Sequence, residues 1–192
     1  LVQRIGESSL ENEFGRFTLI AYQSEVDPMP HVALVAGDVG RIDDQDQPIN
    51  LDESVLVRMH SQNLLGDVFA DISQPSGRTL QLAMRAIQLA GRGALVYLRH
   101  EGMGQGLLKQ LQTFSFLTQQ DQSSIMDRTQ IGARQPTPGI RPPADKGAYG
   151  IGSQILRDLG IRKLRLLTNH PFHPTALEGF GLEIQEFIPL NL

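Results

Sequence analysis

Gly91-Arg92-Gly93-Ala94-Leu95-Val96-Tyr97-Leu98-Arg99 is the stretch on which the fold turns. Between its glycines and its last arginine, Ala94 to Leu98 runs without a charge, as a strand buried on both faces does. Upstream, Leu80, Ala83, Met84 and Ile87 recur at i, i+3, i+4 and i+7. That spacing predicts an amphipathic helix over Ser76 to Ala90, with Ser76 placed to cap it and Gly91 to stop it. Downstream, Glu101-Gly102-Met103-Gly104-Gln105-Gly106 reads as a Gly-rich turn, and Leu107 to Gln119 as a further helix. Helix, strand, turn and helix in succession indicate an α/β arrangement.

Working outward, Phe17 to Tyr22, His31 to Val35 and Val55 to Met59 are short apolar or β-branched runs bounded by Gly, Pro and Asp, and read as strands. Gln135 to Pro143, with Pro136, Pro138, Gly139 and Pro142 in it, reads as a loop. Tyr149 to Leu159 places Gly152, Ile155, Leu156 and Leu159 on one helical face and stops at Gly160. Lys163 to Thr168 and Leu182 to Ile188 are the last strands. The fold class expected is α/β of the α+β type, a mixed sheet with helices.

At 192 residues, with 40% hydrophobic and 20% charged side chains, the chain can bury one sizeable core. A net charge of −4 offers no basic footprint, so a nucleic-acid partner is not expected. No apolar run reaches the roughly 18 residues that a membrane span needs, so no membrane partner is expected either. Cysteine is absent, which excludes disulfides, thiolate nucleophiles and any Cys-ligated metal within this sequence. The chain begins at Leu1 and not at Met, as a piece of a longer protein would.

Three groups of motifs carry a resemblance to a known family. Val32-Ala33-Leu34-Val35 before Ala36-Gly37-Asp38, then Val55-Leu56-Val57-Arg58-Met59-His60-Ser61, then Leu65-Gly66-Asp67-Val68-Phe69 form the first. Gly91 to Arg99 and Tyr149-Gly150-Ile151-Gly152-Ser153-Gln154-Ile155-Leu156 form the second. Leu167-Thr168-Asn169, followed by Leu177-Glu178-Gly179-Phe180-Gly181-Leu182, completes the set. In this order, from about residue 10 to residue 188, the chain resembles GTP cyclohydrolase II, and the colinearity makes the resemblance specific where one motif alone would be weak.

The resemblance implies an enzyme that opens the imidazole ring of GTP, releasing formate and pyrophosphate, with a zinc held by three cysteines spaced Cys-x10-Cys-x-Cys. Here those positions are Asn63, Gln74 and Ser76, with the spacing intact and the thiols gone. Neutral amides and a hydroxyl lack the charge and softness of thiolates, so no metal is expected, and zinc and Mg2+ enter by family only. The family's Asp-x-Arg before Tyr-Gly-Ile-Gly is Asp145-Lys146-Gly147, which keeps Asp145 as the proton acceptor and leaves glycine where an arginine nucleophile would be.

The nucleotide-binding residues implied are Arg58, His60, Ser61, Glu101, Gly102 and Thr168. The family's Arg-Val-His-Ser-Glu stretch ends here in Gln62; Met103 and His173 replace an arginine and a lysine, and Phe114 replaces a tyrosine. A hydroxyl persists at Ser123 or Ser124. Each of these residues also has an ordinary structural reading: Arg58 as a surface cation, His60 as a hydrogen-bonded histidine, Glu101 as a turn residue, and Gly102, Gly104 and Gly106 as a tight passage and not a phosphate cradle.

Leu1 to Gly6 resembles the linker that joins dihydroxybutanone-phosphate synthase to the cyclohydrolase in bifunctional riboflavin proteins. The organisation expected is thus a linker over residues 1–8 and a GTP cyclohydrolase II-like domain over 9–192. Partners implied are a fused synthase, a second copy in a homodimer and GTP or a related nucleotide bound weakly, in the cytoplasm or in a plastid if the source is a plant. Three functions stay open: a domain without zinc-dependent ring opening that serves the synthase structurally, an active cyclohydrolase by a non-zinc route, and a module sensing a nucleotide or flavin intermediate.

Overall fold

The computed structural model describes residues 2–26, 28–73, 75–99, 146–171 and 175–190, with backbone alone at 146–149, 175 and 176. Among the described residues seven strands form one sheet in the order β1-β2-β3-β5-β4-β6-β7. They are β1 (Val2–Asn12), β2 (Gly15–Ser24), β3 (His31–Ala36), β4 (Val55–Ser61), β5 (Gly93–Leu98), β6 (Lys163–Leu167) and β7 (Glu183–Ile188). The first three pair antiparallel, and β3 pairs antiparallel with β5. From β5 through β4 and β6 to β7 every pairing is parallel. Parallel neighbours need crossovers. Between the strands lie α1 (Leu64–Asp67), α2 (Ser76–Ala90), α3 (Lys146–Asp158) and α4 (Thr175–Glu178). The mixed sheet with helices is the α+β arrangement expected of this sequence.

β5 is the hub because it is apolar on both sides. Ala94, Val96 and Leu98 pack with Ile151, Ile155 and Leu156 of α3, and with Leu159 just beyond it, in one core. Leu95 packs with Ala83 and Ile87 of α2, and with Phe17, Leu56 and Leu167, in the other. Ile155, Leu156 and Leu159 are fully enclosed, and each such side chain contributes about 1.5 to 3 kcal/mol by leaving water. The expected strands all lie within or against observed ones, and the helix read over 149–159 runs from Lys146 to Asp158. Gly91 ends α2 in the left-handed region at φ 70°, where a glycine avoids the steric cost of a Cβ.

One reading is corrected. Ser76 does not cap α2: the N-cap is Pro75, which offers no side-chain acceptor, and Ser76 is the first helical residue. Residues 2–8 lie in β1, an eleven-residue strand paired along β2 from Val2↔Ser24 to Asn12↔Gly15. This edge strand is mostly exposed and polar, so no hydrophobic alternation marks it; its partner strand determines its conformation.

One half-buried knot ties β1 to the far end of α3. Arg4 Nε meets Asp158 Oδ2 at 2.6 Å, and its two other nitrogens donate to the carbonyls of Gly40 at 2.8 Å and Asp158 at 2.9 Å. Tyr22 donates its hydroxyl to the same carboxylate at 2.7 Å. Burial and the Asp158 charge push the Tyr22 hydroxyl well above its ordinary pKa, so the phenol stays a donor. The expected helix over 107–119 and loop over 135–143 lie outside the described residues. Among the described residues no helix is long and apolar enough to cross a membrane.

Candidate functional site

β4 carries Arg58, His60 and Ser61 toward the C-terminal edge of the parallel strands, where open α/β sheets place ligands. Strand alternation divides them. Val55 and Val57 belong to the α3-side core and Leu56 to the α2 side, so Arg58 and His60 share the α2 side while Ser61 lies on the other and is exposed. Arg58 Nη1 donates to the carbonyl of Leu167 at 2.9 Å. This brings Arg58 beside Thr168 at the end of β6.

His60 is nearly enclosed, with 2% of its side chain exposed, and so is Asp67 of α1 at 3%. The imidazole Nε2 lies 3.0 Å and 3.1 Å from the two carboxylate oxygens. Tyr97 of β5 donates its hydroxyl to Asp67 Oδ2 at 2.8 Å, and the Asn63 amide donates to that oxygen at 3.0 Å. The His60 and Tyr97 rings stack with centroids 5.4 Å apart and planes 14° from parallel. Burial alone would raise the Asp67 pKa, but the bonds from His60, Asn63 and Tyr97 outweigh it and bring it from 3.8 to about 2. Burial, followed by the bond to Asp67 and its charge, raises the Tyr97 hydroxyl above its usual range. An ionised carboxylate only accepts, so His60 presents Nε2 as N–H. Its Nδ1 is buried without a hydrogen-bond partner.

Asn63 is the N-cap of α1. Its backbone is extended, and its side-chain oxygen accepts from the Gly66 amide at 3.2 Å. Ser76 opens α2; its carbonyl accepts from the Thr79 hydroxyl at 2.8 Å, and its own hydroxyl is buried without a partner. Gln74 lies outside the described residues. A helix-capping amide oxygen and a hydroxyl are not the donors that zinc takes. Among the described residues no three His, Asp or Glu side chains converge to hold a metal. The residues at the described positions do not fit zinc.

Thr168 continues β6 by donating its amide to Ile188 at 2.9 Å, and its hydroxyl exchanges bonds with the amide and carbonyl of His170. Asn169 pins the chain beyond β7, with Leu190 N donating to its Oδ1 at 2.6 Å and its Nδ2 donating to Leu190 O at 2.9 Å. Thus Arg58 is tied to Leu167, the residue before Thr168, and His60 joins Asp67, which Tyr97 also joins. Asp145, Glu101, Gly102, Gly104, Gly106, Met103, Phe114, Ser123, Ser124 and His173 lie outside the described residues, and Gly147 is described only as backbone of α3. Asp67 and Tyr97 lie within the family-like motifs, but local sequence assigns neither a role. The signal available was an acid seven residues after a histidine, with a helix start between them.

The sequence pattern of the family described as GTP cyclohydrolase II matches residues 3–189. The riboflavin biosynthesis protein RibBA of Chlorobium phaeovibrioides is 42% identical over 192 residues, covering 100% of this chain and 42% of the relative. RibBA of Bacillus subtilis is 41% identical over 192 residues, covering 100% and 44%. A protein of Oryza sativa subsp. japonica, named as a chloroplastic bifunctional riboflavin biosynthesis protein, is 40% identical over 191 residues, covering 99% and 32%. The chain therefore spans less than half the length of these relatives. Among solved structures, RibBX of A. baumannii, described as a two-domain 3,4-dihydroxy-2-butanone 4-phosphate synthase, shares the fold with a TM-score of 0.52 at 21% identity, covering 97% of this chain and 40% of that one. With the pattern matched from the third residue to the fourth from last, the chain belongs to the GTP cyclohydrolase II family.

Proposed function

We propose that this chain is the GTP cyclohydrolase II-like domain of a riboflavin-biosynthesis protein, without zinc-dependent ring opening, and that it serves a fused dihydroxybutanone-phosphate synthase by dimerising and holding that domain in place. The observation that carries the reading is the use made of Asn63. At the first thiolate position of the family, a neutral oxygen caps a helix, and the whole sequence contains no cysteine to replace it. Zinc-activated water, which the family's chemistry needs, then has no source. A fused partner is supported by the relatives, of which this chain spans 42% and 44%, and by the fold it shares with a protein described as a two-domain synthase.

The test is incubation of the purified protein with GTP and Mg2+, with and without Zn2+, following formate and a pyrimidine product. Neither is expected. Formate released at a rate typical of the family would overturn the reading. The structural role is tested by comparing synthase activity and oligomeric state of the fused protein with those of a version lacking residues 9–192; loss of the dimer and of synthase activity is expected.

A further inference from the structure

The segment from Ser61 to Ser76 leaves β4, makes the single turn of α1 and enters α2, and it is where the family holds its metal. We infer that in this chain a hydrogen-bond network centred on Asp67 holds that segment, and that the network makes its order independent of any metal. The inference rests on the proposed absence of zinc, but it concerns what holds this segment in this chain.

Three observations converge on it. First, Asp67 gathers donors from three separate places in the fold: the His60 imidazole on β4, the Tyr97 hydroxyl on β5 and the Asn63 amide ahead of α1. A carboxylate with 3% of its side chain exposed cannot be satisfied by water, so these bonds supply its solvation. Secondly, Asn63 and Asp67 close a reciprocal cap. The Asn63 side chain accepts from Gly66 N while the Asp67 side chain accepts from Asn63 N, satisfying two donors that a four-residue helix would otherwise leave orphaned. Thirdly, α1 is pressed against α2: a Cβ on Gly77 would overlap the Gly66 carbonyl oxygen. The network thus reaches from the parallel strands through α1 to the start of α2. A cysteine at 63 could serve a metal but would cap poorly; asparagine caps well and serves zinc poorly.

The test is thermal unfolding of the purified full chain in EDTA, in added ZnCl2, and in three variants. In the unaltered protein, EDTA and zinc should each shift Tm by less than about 1 °C. Asn63→Ala should lower Tm by about 2–4 °C, Tyr97→Phe by about 2–6 °C and Asp67→Asn by more than either. Should Asp67→Asn fail to fold, Tyr97→Phe and Asn63→Ala decide the matter. Amide hydrogen exchange at Asn63 and Gly66 should remain slow in EDTA and become fast in Asn63→Ala. A Tm that falls by several degrees in EDTA, one that rises on zinc addition, or variants that melt with the unaltered protein would each overturn the inference. These outcomes are separate from the formate assay, so a protein that releases formate could still pass this test.

Discussion

Asp67 keeps its charge where water scarcely reaches it, and that has a consequence for acid stability. In the unfolded chain the carboxyl takes up a proton near its ordinary 3.8, whereas in the folded chain it does so near 2. The gap corresponds to about 2 kcal/mol of stability. Because the folded-state value is the lower one, this contribution is present above about pH 4 and is lost as the pH falls toward 2. Urea midpoints measured from pH 5 to pH 2 should therefore fall more steeply for the unaltered protein than for Asp67→Asn, with the two curves converging at the acid end. Parallel curves would show that the network does not set the Asp67 pKa. At this scale the sequence was partly legible. Arg58, His60 and Thr168 stood out by resemblance, and Asn63 by the spacing it kept. Asp67 and Tyr97 did not, because what makes them matter is burial and convergence from three elements, and neither quantity is written in local spacing.

Helix contacts show which glycines the elements need for proximity. Gly77, in the first turn of α2, faces the Gly66 carbonyl, whereas Gly152 of α3 faces the methyl end of Met59. Replacing either by alanine gains about 1 kcal/mol of helix propensity. At Gly152 the obstacle is the end of a flexible side chain that can turn aside, so Gly152→Ala should leave stability within about 1 kcal/mol of the parent. At Gly77 the obstacle is backbone of a capped helix, and overpacking of about 1 to 3 kcal/mol exceeds the propensity gain. Gly77→Ala should be the less stable of the two by denaturant midpoint; the reverse order would mean that α1 can move away freely. The central elements were legible for a related reason. β5 is apolar on both faces and α2 has a clear helical period, so their burial is local information. α1, α4 and β1 carry no such pattern. β1 is held by pairing and by Arg4, which grips Asp158 154 positions away in sequence. Arg4→Ala should accordingly cost about 2 to 4 kcal/mol, and Arg4→Lys should restore little of it, since one ammonium cannot serve three acceptors on a planar fork.

For the molecule as a whole, alternating strand and helix signals announced the mixed sheet, while the direction of each strand pairing came only with the structure. The two ends of the nucleotide site that the family resemblance implies differ in this sequence. Arg58, His60, Ser61 and Thr168 remain at the sheet edge, and Arg58 is tied to the Leu167 carbonyl at 2.9 Å. On the side where the family resemblance implies cations for a triphosphate, the sequence has Met103, Gly147 and His173. Each charge-assisted contact of that kind is worth at least about 1.5 kcal/mol. Three lost together amount to about 4.5 kcal/mol, or a thousandfold in affinity, if they act independently. Neighbouring cations around one phosphate chain are coupled, so the realised loss is smaller than the sum. The net charge of −4 adds no general attraction to offset it. Calorimetry with GTP at about 0.1 M salt should therefore give a dissociation constant in the high micromolar range or weaker. Restoring Met103→Arg and Gly147→Arg together should tighten it by at least about tenfold, since each returned contact is worth more than one factor of ten. Binding by the unaltered chain at about 1 µM or tighter, abolished by Arg58→Ala, would mean that other residues have rebuilt the phosphate site, and would favour a nucleotide-sensing or active domain over a structural one.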